Sequence, residues 1–262
     1  MKVKSVLKYG HMARNTTRMR RSYDQFCGMA RGLDIIGERW TLLIVRDLLL
    51  GPKRYKDLLD GLPGIGTNLL ADRLREMEAY GLVERVILPP PSGSAVYQLT
   101  AAGEGLAPAL NAIGRWGAQF LRGGPKKTDT MVPRSYFVAM RGTFNPEAAG
   151  KLRATYELRV NGLVFEVRIG DGRITTREAQ ASNPDAVMTM DVETLNSLLF
   201  RLISPAAARE AGRVQVSGDP TALEKFVGVF GFHTAAGMGD RPAAHAVRKA
   251  SVGDKRAARS AG

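Results

Sequence analysis

One cysteine, Cys27, and three histidines are all that 262 residues offer of the common soft metal ligands. A lone thiol closes no disulfide within the chain and finds no second cysteine to share a zinc ion. His11 and His245 sit near the two ends, which leaves His233 by itself in sequence patterned for folding, too few for a histidine-based metal site or a catalytic triad. No GxxxxGK[ST] phosphate loop and no GxSxG elbow occurs. With these signatures missing, the chain reads as a non-enzyme that needs no cofactor. No apolar run reaches the length of a membrane span, and the opening MKVKSVLKYGHMARN lacks the apolar segment and small-residue cleavage site of a secretory signal. A cytoplasmic location is the expectation.

What is present is a charge imbalance, +13 overall, and its location matters more than its size. Residues 1–22 carry seven Lys and Arg and no acid, and residues 240–262 carry six against two. These basic ends read as a flexible arm and a disordered tail, serving either as solubilising segments or as phosphate contacts. Residues 23–122 hold eleven basic and eleven acidic side chains, so any claim of nucleic-acid binding there must rest on arrangement. At residues 123–130, GGPKKTDT interrupts both hydrophobic patterns and marks a linker between 23–122 and 131–239. The class is α+β: a mainly helical first part, then a sheet with packed helices.

In the first part, spacing predicts helices over Asp24–Ile36, Arg39–Leu50 and Tyr55–Leu59, the second stopped by Gly51-Pro52. After DGLPGIG, Leu70, Leu74 and Met77 lay one apolar stripe along a further helix. Thr67, Asn68, Ala71, Asp72 and Arg75 fall on the front or the other side. Small polar residues at a helix start leave its free N–H groups and positive dipole end approachable. Short helix, tight break and longer helix have the spacing of a helix-turn-helix, whose second helix enters the major groove of double-stranded DNA. VERVIL, PPPSGS and AVYQL then read as strand, turn and strand, a wing. Lys53, Arg54 and Lys56 cluster where the backbone crossing is expected and are the phosphate candidates. Further on, Leu106, Leu110, Ile113 and Phe120 share a stripe with Trp116 beside it, which serves either a partner helix or the domain's own core.

The stretches DIIGERWTLLIVRDLLLGPKRYKDLL, GIGTNLLADRLREMEAYGLVER and VYQLTAAGEGL, in that order over residues 25–122, resemble the HxlR-type winged-helix transcriptional regulators. The resemblance implies a DNA-binding homodimer, built by first and last helices, with base reading by the helix that starts near Thr67. A two-fold dimer reads a palindrome. The wing tip departs from the pattern, since PPPSGSA carries no basic residue; Arg85 is the nearest substitute. Members commonly place a cysteine near the first helix, in some as a sensor of electrophiles or oxidants. Cys27 stands there, either as a reactive thiol or as a small buried residue, burial being the commoner state of a free cysteine.

In the second part, Asn161-Gly162 and Asp171-Gly172 predict two tight hairpins. Asp191, Ser204-Pro205 and Asp219-Pro220 read as helix starts, with a helix over Val192–Ile203. Residues 131–232 resemble the sterol carrier protein type 2-like fold, through the order of elements and the Gly-Asp before the last helix. That resemblance implies an apolar tunnel between sheet and helices, with Met188, Leu195, Leu198, Leu202, Phe226 and Phe230 as its lining and an apolar or lipid-like small molecule as effector. The combined expectation is a regulator controlled through its second domain. A thiol switch at Cys27 and a lipid carrier using the winged helix as an interaction module are the alternatives.

Overall fold

A computed structural model of the chain describes residues 22–121 and 125–231. The basic arm up to residue 21, the tail over 240–262, all three histidines and part of the expected linker lie outside the described residues.

The first half runs α1 (Gly28–Ile36), α2 (Thr41–Leu48), α3 (Tyr55–Gly61), α4 (Thr67–Ala79), β1 (Val83–Ile87), β2 (Ala95–Leu99), α5 (Ala101–Glu104) and α6 (Ala107–Ala118), with a 3-10 turn at Gln119–Leu121. Helix α1 begins four residues later than its periodicity suggests, at the N-cap position of Cys27. The stripe of α4 closes on the core as expected: Leu70, Leu74 and Met77 are buried beside Ile44, Leu58 and Val83. β1 and β2 pair antiparallel, Val83 opposite Leu99, and Lys53 pairs through both its N–H and its C=O with Tyr97, which ties the segment before α3 to the wing.

The second half runs α7 (Pro133–Thr143), α8 (Pro146–Ala149), β3 (Ala154–Val160), β4 (Leu163–Gly170), β5 (Arg173–Arg177), β6 (Ala186–Met190), α9 (Val192–Leu199), α10 (Pro205–Glu210), β7 (Val214–Gly218) and α11 (Ala222–Gly228). Its strands lie in the order β5-β4-β3-β6-β7, antiparallel except for the β3–β6 pair. Asn161-Gly162 and Asp171-Gly172 make the hairpin turns, all four residues at positive φ as a primed turn requires. Asp191 and Ser204 cap their helices through Thr194 N–H and Ala207 N–H. Asp219 behaves otherwise: it accepts from the N–H and hydroxyl of Thr221 and from Lys225, and α11 starts only at Ala222, beyond Pro220. These donors, Lys225 first, hold its carboxyl down at about 2. Among the described residues no helix is long and apolar enough to cross a membrane.

Tyr156, Leu158, Phe165, Val167, Met188 and Phe226 fill the core between sheet and helices. Tyr156 meets Phe226 edge to face at 5.7 Å, yet its hydroxyl has no hydrogen-bond partner. Burial, then the nearby Asp219 and Asp185, push that phenol up to about 12. The neutral form is favoured in the fold, so this stability is whole below the ordinary tyrosine value of about 10 and is lost as pH rises through about 12. Tyr156→Phe is therefore expected to gain about 1 kcal/mol at neutral pH, because an unpaired buried hydroxyl disappears, and to remove the share of the alkaline loss that Tyr156 contributes. Urea denaturation at pH 7 and pH 11 checks both parts.

Candidate nucleic-acid interface

Helix α4 starts at Thr67 behind Gly66, which gives no side-chain cap, so its first N–H groups face outward unclaimed by a capping side chain. Thr67 and Asn68 are exposed at this front, followed along the same helix by exposed Asp72 and Arg75 and by half-buried Ala71. Asp72 and Arg75 form an ion pair with each other. The preceding helix is fixed against this front by the Tyr55 hydroxyl, which donates to the Thr67 carbonyl at 2.6 Å. Arg73 reaches back from α4 to Glu38 at 3.0 Å, bracing the helix against the turn between α1 and α2. Of the expected phosphate contacts, Arg54, Lys56 and Arg85 are exposed.

Lys53 is not. Its side chain is 4% exposed, and its ammonium lies 3.3 Å from Glu178 and donates to the Gly51 carbonyl. Backbone pairing with Tyr97 on both sides leaves the side chain to run inward, so Lys53 is withdrawn from the phosphate set. Burial lowers its pKa, with Glu178 opposing.

The residues around Lys53 form a junction that periodicity did not reveal. Arg134, at the start of α7, grips Glu178 with Nε at 2.6 Å and Nη2 at 2.9 Å, and donates through Nη1 to the Asp57 carbonyl in α3. Burial resists ionisation of Glu178, but the bonds and charges of Arg134 and Lys53 outweigh it and hold the carboxyl below the ordinary range. Asp47, fully buried on α2, takes Arg46 at 2.8 Å, while its second oxygen has no partner and burial pushes its pKa up against Arg46. A charged residue three places after Ile44, on the buried face of an apolar helix, was the one local signal of this junction. Arg134 and Glu178 gave none.

The α6 stripe divides. Leu106 and Leu110 are half-buried against the chain's own core, whereas Ile113, Trp116 and Phe120 are 49%, 65% and 67% exposed. Phe26, just before α1, and Met29 within it are exposed too. Cys27 is exposed, correcting the expectation of burial. Its thiol is drawn toward the N–H groups of Ala30 and then Met29, which lower its pKa, although no side-chain hydrogen bond closes the cap.

In the second half, Met188, Leu195, Leu198, Phe226 and Phe230 come together in the core, each at most 2% exposed. Leu202 does not join them. Helix α9 ends at Leu199, Arg201 turns the chain at φ 56°, and Leu202 is left 70% exposed. A shallow depression of about 410 Å³ lies instead at the edge of the polar sheet face, lined by Thr155, Arg168, Arg173 and Thr175 among others.

Short helix, tight break, longer helix with a bare polar front, and a two-stranded wing define the first half as a winged helix-turn-helix. Residues 35–124 match the HxlR-like helix-turn-helix family. The HTH-type transcriptional regulator YodB of Bacillus subtilis is 35% identical over 96 residues, 37% of this chain and 86% of that protein. YvaP of the same organism, an uncharacterized HTH-type transcriptional regulator, is 35% identical over 91 residues, 35% of this chain and 84% of its own length. The solved reduced form of YodB, 33% identical, covers 38% of this chain and all of its own, with a TM-score of 0.34. The chain belongs to the HxlR-like family of transcriptional regulators. Residues 124–234 match the family described as alkyl sulfatase C-terminal and not a sterol-carrier family, so the sterol-carrier likeness of this half rests only on its order of elements and the Gly-Asp before the last helix.

Proposed function

We propose that this protein is a DNA-binding transcriptional regulator that acts as a homodimer on a palindromic operator, with α4 in the major groove. The observation that carries the reading is the uncapped, exposed front of α4, where Thr67 and Asn68 stand clear of the core with Arg54 and Lys56 exposed nearby. Asn is suited to a bidentate contact with adenine, and helix N–H groups to phosphate. Ala71, Asp72 and Arg75 complete the reading face; Arg75 reaches a base only by leaving Asp72. The bare Ile113, Trp116 and Phe120, with Phe26 and Met29, supply the apolar surface for a second copy. In the second half, an apolar effector would part Phe226 and Phe230 from Met188, with the unpartnered Tyr156 hydroxyl as its polar anchor.

The test is selection of duplexes from a random library by the full chain, followed by titration at several salt concentrations. Asn68→Ala is expected to weaken the selected operator by about 10- to 100-fold while leaving the salt slope unchanged, and Arg54→Ala to reduce that slope by about one per half-site. Equal affinity of the wild type for selected and scrambled duplexes would sink the reading.

A second reading adds a thiol switch, favoured by the exposure and lowered pKa of Cys27. A single cysteine pairs only with another molecule's thiol. If the switch exists, Cys27→Ser abolishes oxidant-induced release from the operator; release that persists in this variant excludes it.

A further inference from the structure

We propose that Glu178 and Arg134 of the second half are positioning residues for the DNA-reading head, setting the α2–α3 segment from behind through Lys53 and the Asp57 carbonyl. This rests on the reading of α4 as the DNA-contacting helix.

Four contacts converge on one short stretch. The carbonyls of Leu49 and Leu50, just past the end of α2, are met from the second half: Glu178 N–H donates to the Leu50 carbonyl at 2.9 Å and Arg141 Nη2 to the Leu49 carbonyl at 3.0 Å. Arg134 Nη1 donates to the Asp57 carbonyl at 3.0 Å, in the middle of α3. Lys53, immediately before α3, puts its ammonium on Glu178. From there the path to the reading face is short, because Tyr55 holds the Thr67 carbonyl and Lys53 itself is paired with the wing at Tyr97. Displacing Glu178 thus disturbs helix, turn and wing together.

The chemistry of the contact argues for orientation over adhesion. Apolar residues would hold two surfaces together without the desolvation of Lys53 and Arg134, which are 4% and 5% exposed. A fork of guanidinium on carboxylate, with its remaining donor on a backbone carbonyl, tolerates only a narrow range of angles. The relatives differ from this chain behind the reading head. Stretches of 91 and 96 residues already cover 84% and 86% of YvaP and YodB, which leaves no room in them for a second domain of this size. Here the first half is backed by Arg134, Arg141 and Glu178 of the second.

The experiment uses the full chain, the duplex selected from a random library by the wild type, and a scrambled duplex. Lysine acylation followed by peptide mass spectrometry reports the lock without DNA: Lys53 is expected to be protected relative to exposed Lys56 in the wild type and to lose that protection in Glu178→Gln. In that variant the ratio of selected to scrambled affinity is expected to fall about tenfold, with the salt slope unchanged because Arg54 and Lys56 still meet phosphate. General loosening of the fold would lower the slope as well. Should Glu178→Gln fail to fold, Arg134→Lys, which keeps the charge and loses the fork, carries the same expectations. The proposal is overturned if Lys53 of the wild type reacts as fast as Lys56, or if either variant exposes Lys53 with discrimination intact. It is overturned too if the wild type selects no sequence, and protection of Lys53 then assigns the failure to the DNA reading and not to the lock.

Discussion

In the homodimer proposed above, Trp116→Asp is expected to break the pairing of the two copies, and with that to weaken binding to a palindromic duplex by about a thousandfold or more. Trp116 is 65% exposed, its ring 5.1 Å from that of Phe120 in an edge-to-face contact, and Ile113 and Leu121 beside them are 49% and 62% exposed. Full burial of one such side chain is worth about 1.5–3 kcal/mol, and two-fold symmetry counts it twice. The aspartate does more than remove this, since each copy would carry an unpaired carboxylate into an apolar contact. Together these exceed about 4 kcal/mol, which is a thousandfold in an association constant. The chain's own fold should survive, because Trp116 contributes little to the core that Leu106 and Leu110 close. Sedimentation equilibrium gives the dimer constant and anisotropy titration the operator affinity. A Trp116→Asp protein that remains dimeric removes this face from the interface.

The same helix shows where sequence reading reaches its limit. Spacing placed Leu106 to Phe120 on one stripe, and the stripe exists, but only the three-dimensional position of α6 decides that its first turns face inward and its last ones outward. Elements fixed by local chemistry were legible: the primed turns at Asn161-Gly162 and Asp171-Gly172, the caps at Asp191 and Ser204, and the bare start of α4 each depend on residues within a turn of one another. Elements fixed by distant partners were not. Lys53 has the composition of a phosphate contact and is buried by Glu178, 125 positions on, while α7, with Arg134 and Arg141, carries the strand-favouring run Tyr136-Phe137-Val138 inside it and gives no clear helical period. The end of α9 failed for a third reason, because Leu202 continues the apolar period after the backbone has already turned at Arg201.

Gly61→Ala provides the sharpest probe of the junction, because helix propensity and packing predict opposite signs. Gly61 is the last residue of α3, and replacing a helical glycine by alanine ordinarily gains up to about 1 kcal/mol. Here a β-carbon would fall 2.3 Å from Arg134 Nη1 and 2.6 Å from the unpartnered oxygen of Asp47. Both are side-chain ends, but neither is free to yield. Arg134 is held twice by Glu178 and once by the Asp57 carbonyl, and Asp47 is enclosed with Arg46. Moving the guanidinium strands Glu178 beside Lys53 alone and takes from Asp47 part of the positive field that offsets its burial. Breaking a buried ion pair from one side costs about 3–5 kcal/mol, so a net destabilisation of about 3 kcal/mol is expected, measured by urea denaturation. Arg134→Met should remove most of the clash along with the fork, so the double variant is expected to lie well above the sum of the two single losses. If Gly61→Ala is instead as stable as the wild type, the junction is loose enough to absorb a methyl group, and the rear support it gives to α3 is too weak to position anything.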